Sequence, residues 1–150
     1  MVNDIIGTTM PHIADDRFCQ NYVVSIAAFN MMGRFGWASI SDLIGRKNAY
    51  GLYLGAGAPL FCAIPYSAGW MSVEPSMAPL LLFYGSTMTI FSFYGGGFAT
   101  IPAYIADVFG TKYVGGIHGR MLTAWSTAGL VGPQVSFYLT SEKFVQLEAP

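Results

Sequence analysis

The stretch APLLLFYGSTMTIFSFYGGGFATIPAY, residues 78–104, contains no Asp, Glu, Lys or Arg. As a helix rising 1.5 Å per residue, it is long enough to cross the roughly 30 Å hydrocarbon core of a bilayer. Gly95-Gly96-Gly97 and Pro102 interrupt it. The glycine triplet reads as a close-packing point or a flexible joint in a membrane helix. No Lys-Ser or Lys-Thr follows the triplet, so it is not a phosphate loop, and it does not fit the dinucleotide pattern.

The flanking sequence repeats the pattern of long apolar runs separated by short polar connections. Residues 18–40 hold a single charge, Arg34, and residues 49–66 hold none. Residues 117–139 form a fourth run. The connections are expected at 41–48 (SDLIGRKN), at 67–77 with Gly69, Glu74 and Pro75, and at 105–116. Residues 1–17 read as a loop or frayed helix end, and the chain closes on a short tail with Glu142, Lys143 and Glu148. The expected fold is therefore all-α, with about four transmembrane helices near 18–40, 49–66, 78–104 and 117–139.

Composition agrees with that reading. Hydrophobic residues make up 53% of the chain and charged residues 10%, against roughly 25% charged in soluble domains. Mean hydropathy is +0.47. A soluble domain of this size could not hide so much apolar surface, whereas lipid can cover it. A net charge of -1 gives no basic face for nucleic acid. Cys19 and Cys62 have no metal or redox spacing and read as small apolar side chains. His12 and His118 fall on opposite predicted sides, so no metal site is expected. No nucleophile elbow occurs. The expectation is a protein that is not an enzyme and needs no cofactor.

Positive charge alternates among the connections. Arg46 and Lys47 mark the first and the 107–120 region carries Lys112 and Arg120, while 67–77 has neither Lys nor Arg. The positive-inside rule then places the two basic connections in the cytoplasm and both termini opposite. Gly51 with Gly55, and Gly115 with Gly119, offer small-residue faces for close helix approach, or reflect only the abundance of glycine.

Arg34 is the charge most in need of a reason. A cation within a spanning segment costs at least about 2.5–3.5 kcal/mol. It can snorkel to the interface, or it can face a wet cavity. Ala27, Asn30, Arg34, Ala38 and Ser41 fall on one small, polar helix face. Helix three carries Tyr84, Thr87, Phe91, Tyr94 and Phe98 along one side, and helix four carries Arg120, Thr123, Thr127 and Gln134. These faces are packing surfaces or the walls of a site for a small organic anion. In the second case Arg34 is the countercharge and tyrosine hydroxyls are the donors. Pro133, after Gly129 and Gly132, weakens helix four in the manner of a gating helix or is an ordinary kink.

Asp42, Gly45, Arg46 and Lys47 resemble the signature cytoplasmic loop of the major facilitator superfamily. Ala38 stands where that motif has Gly, and Leu43 where it has a basic residue. Asp42 is spaced to pair with Arg46. Gly33-Arg34-Phe35-Gly36-Trp37-Ala38 and Tyr94-Gly95-Gly96-Gly97-Phe98-Ala99-Thr100-Ile101-Pro102-Ala103 are similar to the oxalate/formate antiporter branch. So are Phe109-Gly110-Thr111-Lys112-Tyr113-Val114-Gly115-Gly116-Ile117-His118-Gly119 and Leu122-Thr123-Ala124-Trp125.

The resemblance covers about residues 4–134 and implies part of the C-terminal half of such a carrier, from the end of the seventh helix through the eleventh. It implies alternating-access transport of small carboxylates (monocarboxylate, oxalate or formate type) and a missing N-terminal half as partner. It matches Arg34 to the intramembrane arginine of oxalate carriers and implies a gate at Asp42, Gly45, Arg46 and Lys47. With the polar and aromatic faces, the expected substrate contacts are Arg34, Asn30, Tyr84, Tyr94 and Trp125. Oxalate carriers place a lysine where Trp125 stands, so a monocarboxylate suits the single cation better than a dianion. The other expectation is a free-standing four-helix membrane protein with a structural or assembly role. Either way the setting is multi-pass in a plasma or organelle membrane.

Overall fold

The computed structural model describes the backbone of residues 16–148 and the side chains of 17–139. Helix α1 runs Asp16–Ile44, α2 Arg46–Val73, α3 Met77–Phe109 and α4 Val114–Glu148, with a single 3-10 turn at Thr111–Tyr113 before α4. No strand occurs among the described residues, so the fold is all-α as expected. The expected loop over residues 1–17 lies almost wholly outside the described residues, as does His12.

The connections are shorter than the sequence suggests. The expected turn at 41–48 contracts to Gly45, whose φ of 86° and ψ of 139° suit glycine, a region costly for residues with a Cβ. Gly110 has φ 79° and breaks the chain between α3 and the 3-10 turn. The expected loop at 67–77 contracts to residues 74–76. Pro75 disfavours helical backbone at the residue before it, and Glu74 is extended at φ −133° and ψ 94°. Helix α4 continues past 139 to Glu148. Pro59, Pro65, Pro102 and Pro133 all lie inside continuous helices, as does the glycine triplet.

The chain divides into two compact units, Met1–Tyr104 and Ile105–Pro150, with the boundary inside α3. In the first unit, three helices share a core. Tyr22 from α1, Met71 from α2, and Leu80, Phe83 and Met88 from α3 are buried together. Tyr22 stacks on Phe83 at 6.1 Å and meets Tyr84 edge-on at 5.4 Å.

Farther along, α1 and α3 come into backbone contact. A Cβ on Gly33 would collide with the Ser92 carbonyl, and one on Gly95 with the Asn30 carbonyl. A Cβ on Gly96 would meet the Trp37 side chain. Close-packing is therefore the role of two of the three triplet glycines. Gly51, Gly55, Gly115 and Gly119 have nothing within 4 Å of an added Cβ. Among the described residues, and within each unit, the small-residue faces expected on helices two and four are not where backbones meet.

In the second unit, Val114, Ile117, His118 and Leu122 are half-buried, and every residue from 123 to 139 is exposed. Leu130 is 70% exposed and Phe137 77%. Of the described helices, one, Met77–Phe109, is long and apolar enough by length and composition to cross a membrane. The other three dilute their apolar residues with Gly, Ala, Ser, Thr and isolated charges. The four spans expected from the sequence thus reduce to one by that measure.

Candidate substrate site and gate

Asn30, Gly33 and Trp37 form the edge of α1 that rests on α3. Asn30 Nδ2 donates to the Phe91 carbonyl at 3.4 Å, and Trp37 Nε1 donates to Ser92 Oγ at 2.8 Å. The anticipated polar face straddles this edge. Asn30 and Ala38 are half-buried and Ser41 is buried, while Ala27 and Arg34 are exposed. Arg34 has no hydrogen-bond or ion-pair partner among the described residues. Its outward neighbours are apolar: Met31 is 60%, Met32 64% and Phe35 72% exposed.

The aromatic stripe of α3 splits between two jobs. Tyr84 donates its hydroxyl to Ser25 Oγ at 2.6 Å, so that donor ties α3 to α1. Thr87 is buried and donates back to the Phe83 carbonyl at 2.7 Å. Tyr94 is 43% exposed and packs on Phe98 at 5.1 Å. Trp125, in the second unit, is 55% exposed. On the same helix Thr123 and Thr127 donate to the Arg120 and Thr123 carbonyls at 2.7 and 2.9 Å. Those hydroxyls are directed along their own helix.

Of the four residues expected at a gate, Asp42 and Arg46 come together. Arg46 Nη2 lies 2.8 Å from Asp42 Oδ1, bridging the Gly45 break at the spacing expected. Arg46 Nη1 also reaches Ser41 Oγ at 3.4 Å, and buried Ser41 donates to the Ala38 carbonyl at 2.8 Å. Lys47 is exposed.

One opening in the first unit falls where the sequence has no charge or polar stripe to mark it. It is a furrow of about 310 Å³ between α2 and α3. Tyr50, Tyr53, Leu54, Gly57 and Phe61 supply the α2 wall, and α3 supplies its wall from Ile90 to Ile101. Of the expected substrate contacts only Tyr94 lines it; Arg34, Asn30, Tyr84 and Trp125 do not.

At one end sits a polar knot. Tyr50 donates to the Gly97 carbonyl at 2.8 Å, and Thr100 Oγ1 lies 2.9 Å from the Gly96 carbonyl and 3.2 Å from Tyr50 Oη. The Tyr53 hydroxyl is buried and makes no hydrogen bond among the described residues. The spacing of Tyr50, Leu54, Gly57 and Phe61 on one helical line was the available signal. No family model, curated protein or solved structure matches the chain.

Proposed function

We propose that the chain forms part of a multi-pass secondary carrier for small carboxylates, of the major facilitator type and closest to its oxalate/formate antiporter branch. The observation that carries this reading is Arg34. It is exposed and unpartnered among the described residues, on a helix surface of Met31, Met32 and Phe35. A guanidinium so placed calls for an anion or a further helix to complete it. A carboxylate suits its planar, two-pronged donor set. The helix faces left bare in this chain are the surfaces on which lipid and the remaining carrier helices pack.

In this reading Asp42 and Arg46 form the cytoplasmic latch, and Gly45 the joint that the latch spans. Alternating access then exchanges the carboxylate across the membrane with no covalent step. A single cation at the site matches a monocarboxylate.

The test is uptake of labelled formate, oxalate and a short monocarboxylate by proteoliposomes holding the carrier that contains this chain. Arg34→Lys retains charge but loses the forked donor, and affinity should fall about tenfold. Arg34→Gln should abolish uptake while the helices stay folded. Full uptake by the Arg34→Gln carrier would remove Arg34 from the site, and no uptake of any carboxylate by the unaltered carrier would refute the substrate class.

A further inference from the structure

The α2–α3 furrow has a shape and a polarity of its own. Its α2 wall runs from Tyr50 to Phe61 and its α3 wall from Ile90 to Ile101. At 1.5 Å per residue each wall is about 16 Å long, so the furrow is a straight channel along the helices. Gly57 on one wall and Gly97 on the other leave room for a ligand, and a Cβ added at either meets no neighbouring atom within 4 Å. No charged residue lines it. The two ends differ. Phe61 and Ile90 stand at one end, while Tyr50 and Tyr53 line the wall toward the other, and the Tyr53 hydroxyl makes no hydrogen bond among the described residues.

Beyond the polar end, α2 offers a cation. Lys47, Tyr50, Leu54, Gly57 and Phe61 follow one another at alternating steps of three and four, which places them along one helix face. Lys47 is exposed and has no hydrogen-bond or ion-pair partner among the described residues. Neighbouring Arg46, by contrast, is engaged with Asp42.

We infer that this furrow is a binding site for one long-chain carboxylate of the fatty-acid type. The chain lies along the glycine-floored channel, and the carboxylate meets Lys47 beside the tyrosine hydroxyls. A single channel of about 310 Å³ suits one hydrocarbon chain and falls at the small end of ligand sites. The cation beyond one end selects an anionic head, and the apolar opposite end selects against a second charge. This site is separate from the small-carboxylate position at Arg34, which does not line the furrow. It rests on the reading of α2 and α3 as membrane-embedded only in that the ligand reaches it from the bilayer.

Trp37 provides the reporter. Its ring lies 5.5 Å from Tyr53 and 5.1 Å from Phe93, two residues of the furrow wall. In the 150-residue chain carrying Trp70→Phe and Trp125→Phe, placed in neutral phosphatidylcholine nanodiscs, Trp37 is the remaining tryptophan. Dibrominated stearate should quench it saturably. Lys47→Glu should weaken the apparent affinity about tenfold, as should the methyl ester of the same acid. Gly97→Leu, which fills the channel, should abolish saturable quenching while helicity by circular dichroism is unchanged.

Quenching that Gly97→Leu leaves intact would overturn the site. So would equal quenching by brominated phosphatidylcholine, since any bilayer chain would then serve. Chain that enters nanodiscs but shows no saturable quenching overturns the furrow site alone. Chain that fails to enter them overturns the membrane reading and this site together. Loss of carboxylate uptake in Arg34 variants bears only on the carrier reading.

Discussion

Gly33, Gly95 and Gly96 set how near α1 and α3 come. Gly33 and Gly95 press on opposing carbonyls, so a methyl at either forces the helices apart. Gly95→Ala should destabilise the chain by about 1–3 kcal/mol through overpacking. Gly55→Ala, in open space, should be neutral or gain up to about 1 kcal/mol from helix propensity. Thermal unfolding of the two variants in the same detergent checks the contrast. Nothing in the sequence separates these glycines, because which one meets a carbonyl depends on the partner helix. The ion pair is the opposite case: Asp42 and Arg46 are four apart, and the spacing alone announced it. Asp42 is 62% exposed, so Asp42→Asn should cost at most about 1 kcal/mol of stability. Its effect on uptake by the carrier should be much larger than its effect on carboxylate binding. Unchanged uptake at normal expression would leave the pair a charged turn and no more.

At the scale of the helix, α3 was the legible element because it is charge-free over its apolar length. The breaks were less so. Ser41 and Asp42 look like loop residues, yet Ser41 bonds back to Ala38 and Asp42 reaches Arg46, so both remain helical. Gly69 likewise suggested a loop, but α2 continues until Pro75 constrains the backbone at Glu74. The α2–α3 pairing depends on Tyr50, whose hydroxyl bonds the Gly97 carbonyl. Tyr50→Phe should lower stability by about 0.5–1.5 kcal/mol, read as a shift in the unfolding midpoint with helical content retained. No shift would mean that the knot at Thr100 holds without it. The furrow carries no charge to mark it in the sequence, because its walls are aromatic, aliphatic and glycine.

For the whole molecule, the question is what covers the apolar surface. Val23, Val24, Leu54, Phe61, Leu81 and Phe137 are each more than half exposed, a pattern suited to lipid and to further helices rather than to water. Among the described helices one, Met77–Phe109, is long and apolar enough to cross a membrane, while the carrier reading requires four crossings. The decisive measurement is cysteine accessibility in intact cells or sealed vesicles. With Cys19 and Cys62 changed to Ser, Lys47→Cys and Lys112→Cys are labelled one at a time by a membrane-impermeant maleimide, and Ser76→Cys marks the connection between α2 and α3. Four crossings predict that positions 47 and 112 label from the cytoplasmic side and position 76 from the other. Opposite sidedness for positions 47 and 112, or labelling of all three from one side, would contradict the multi-pass carrier.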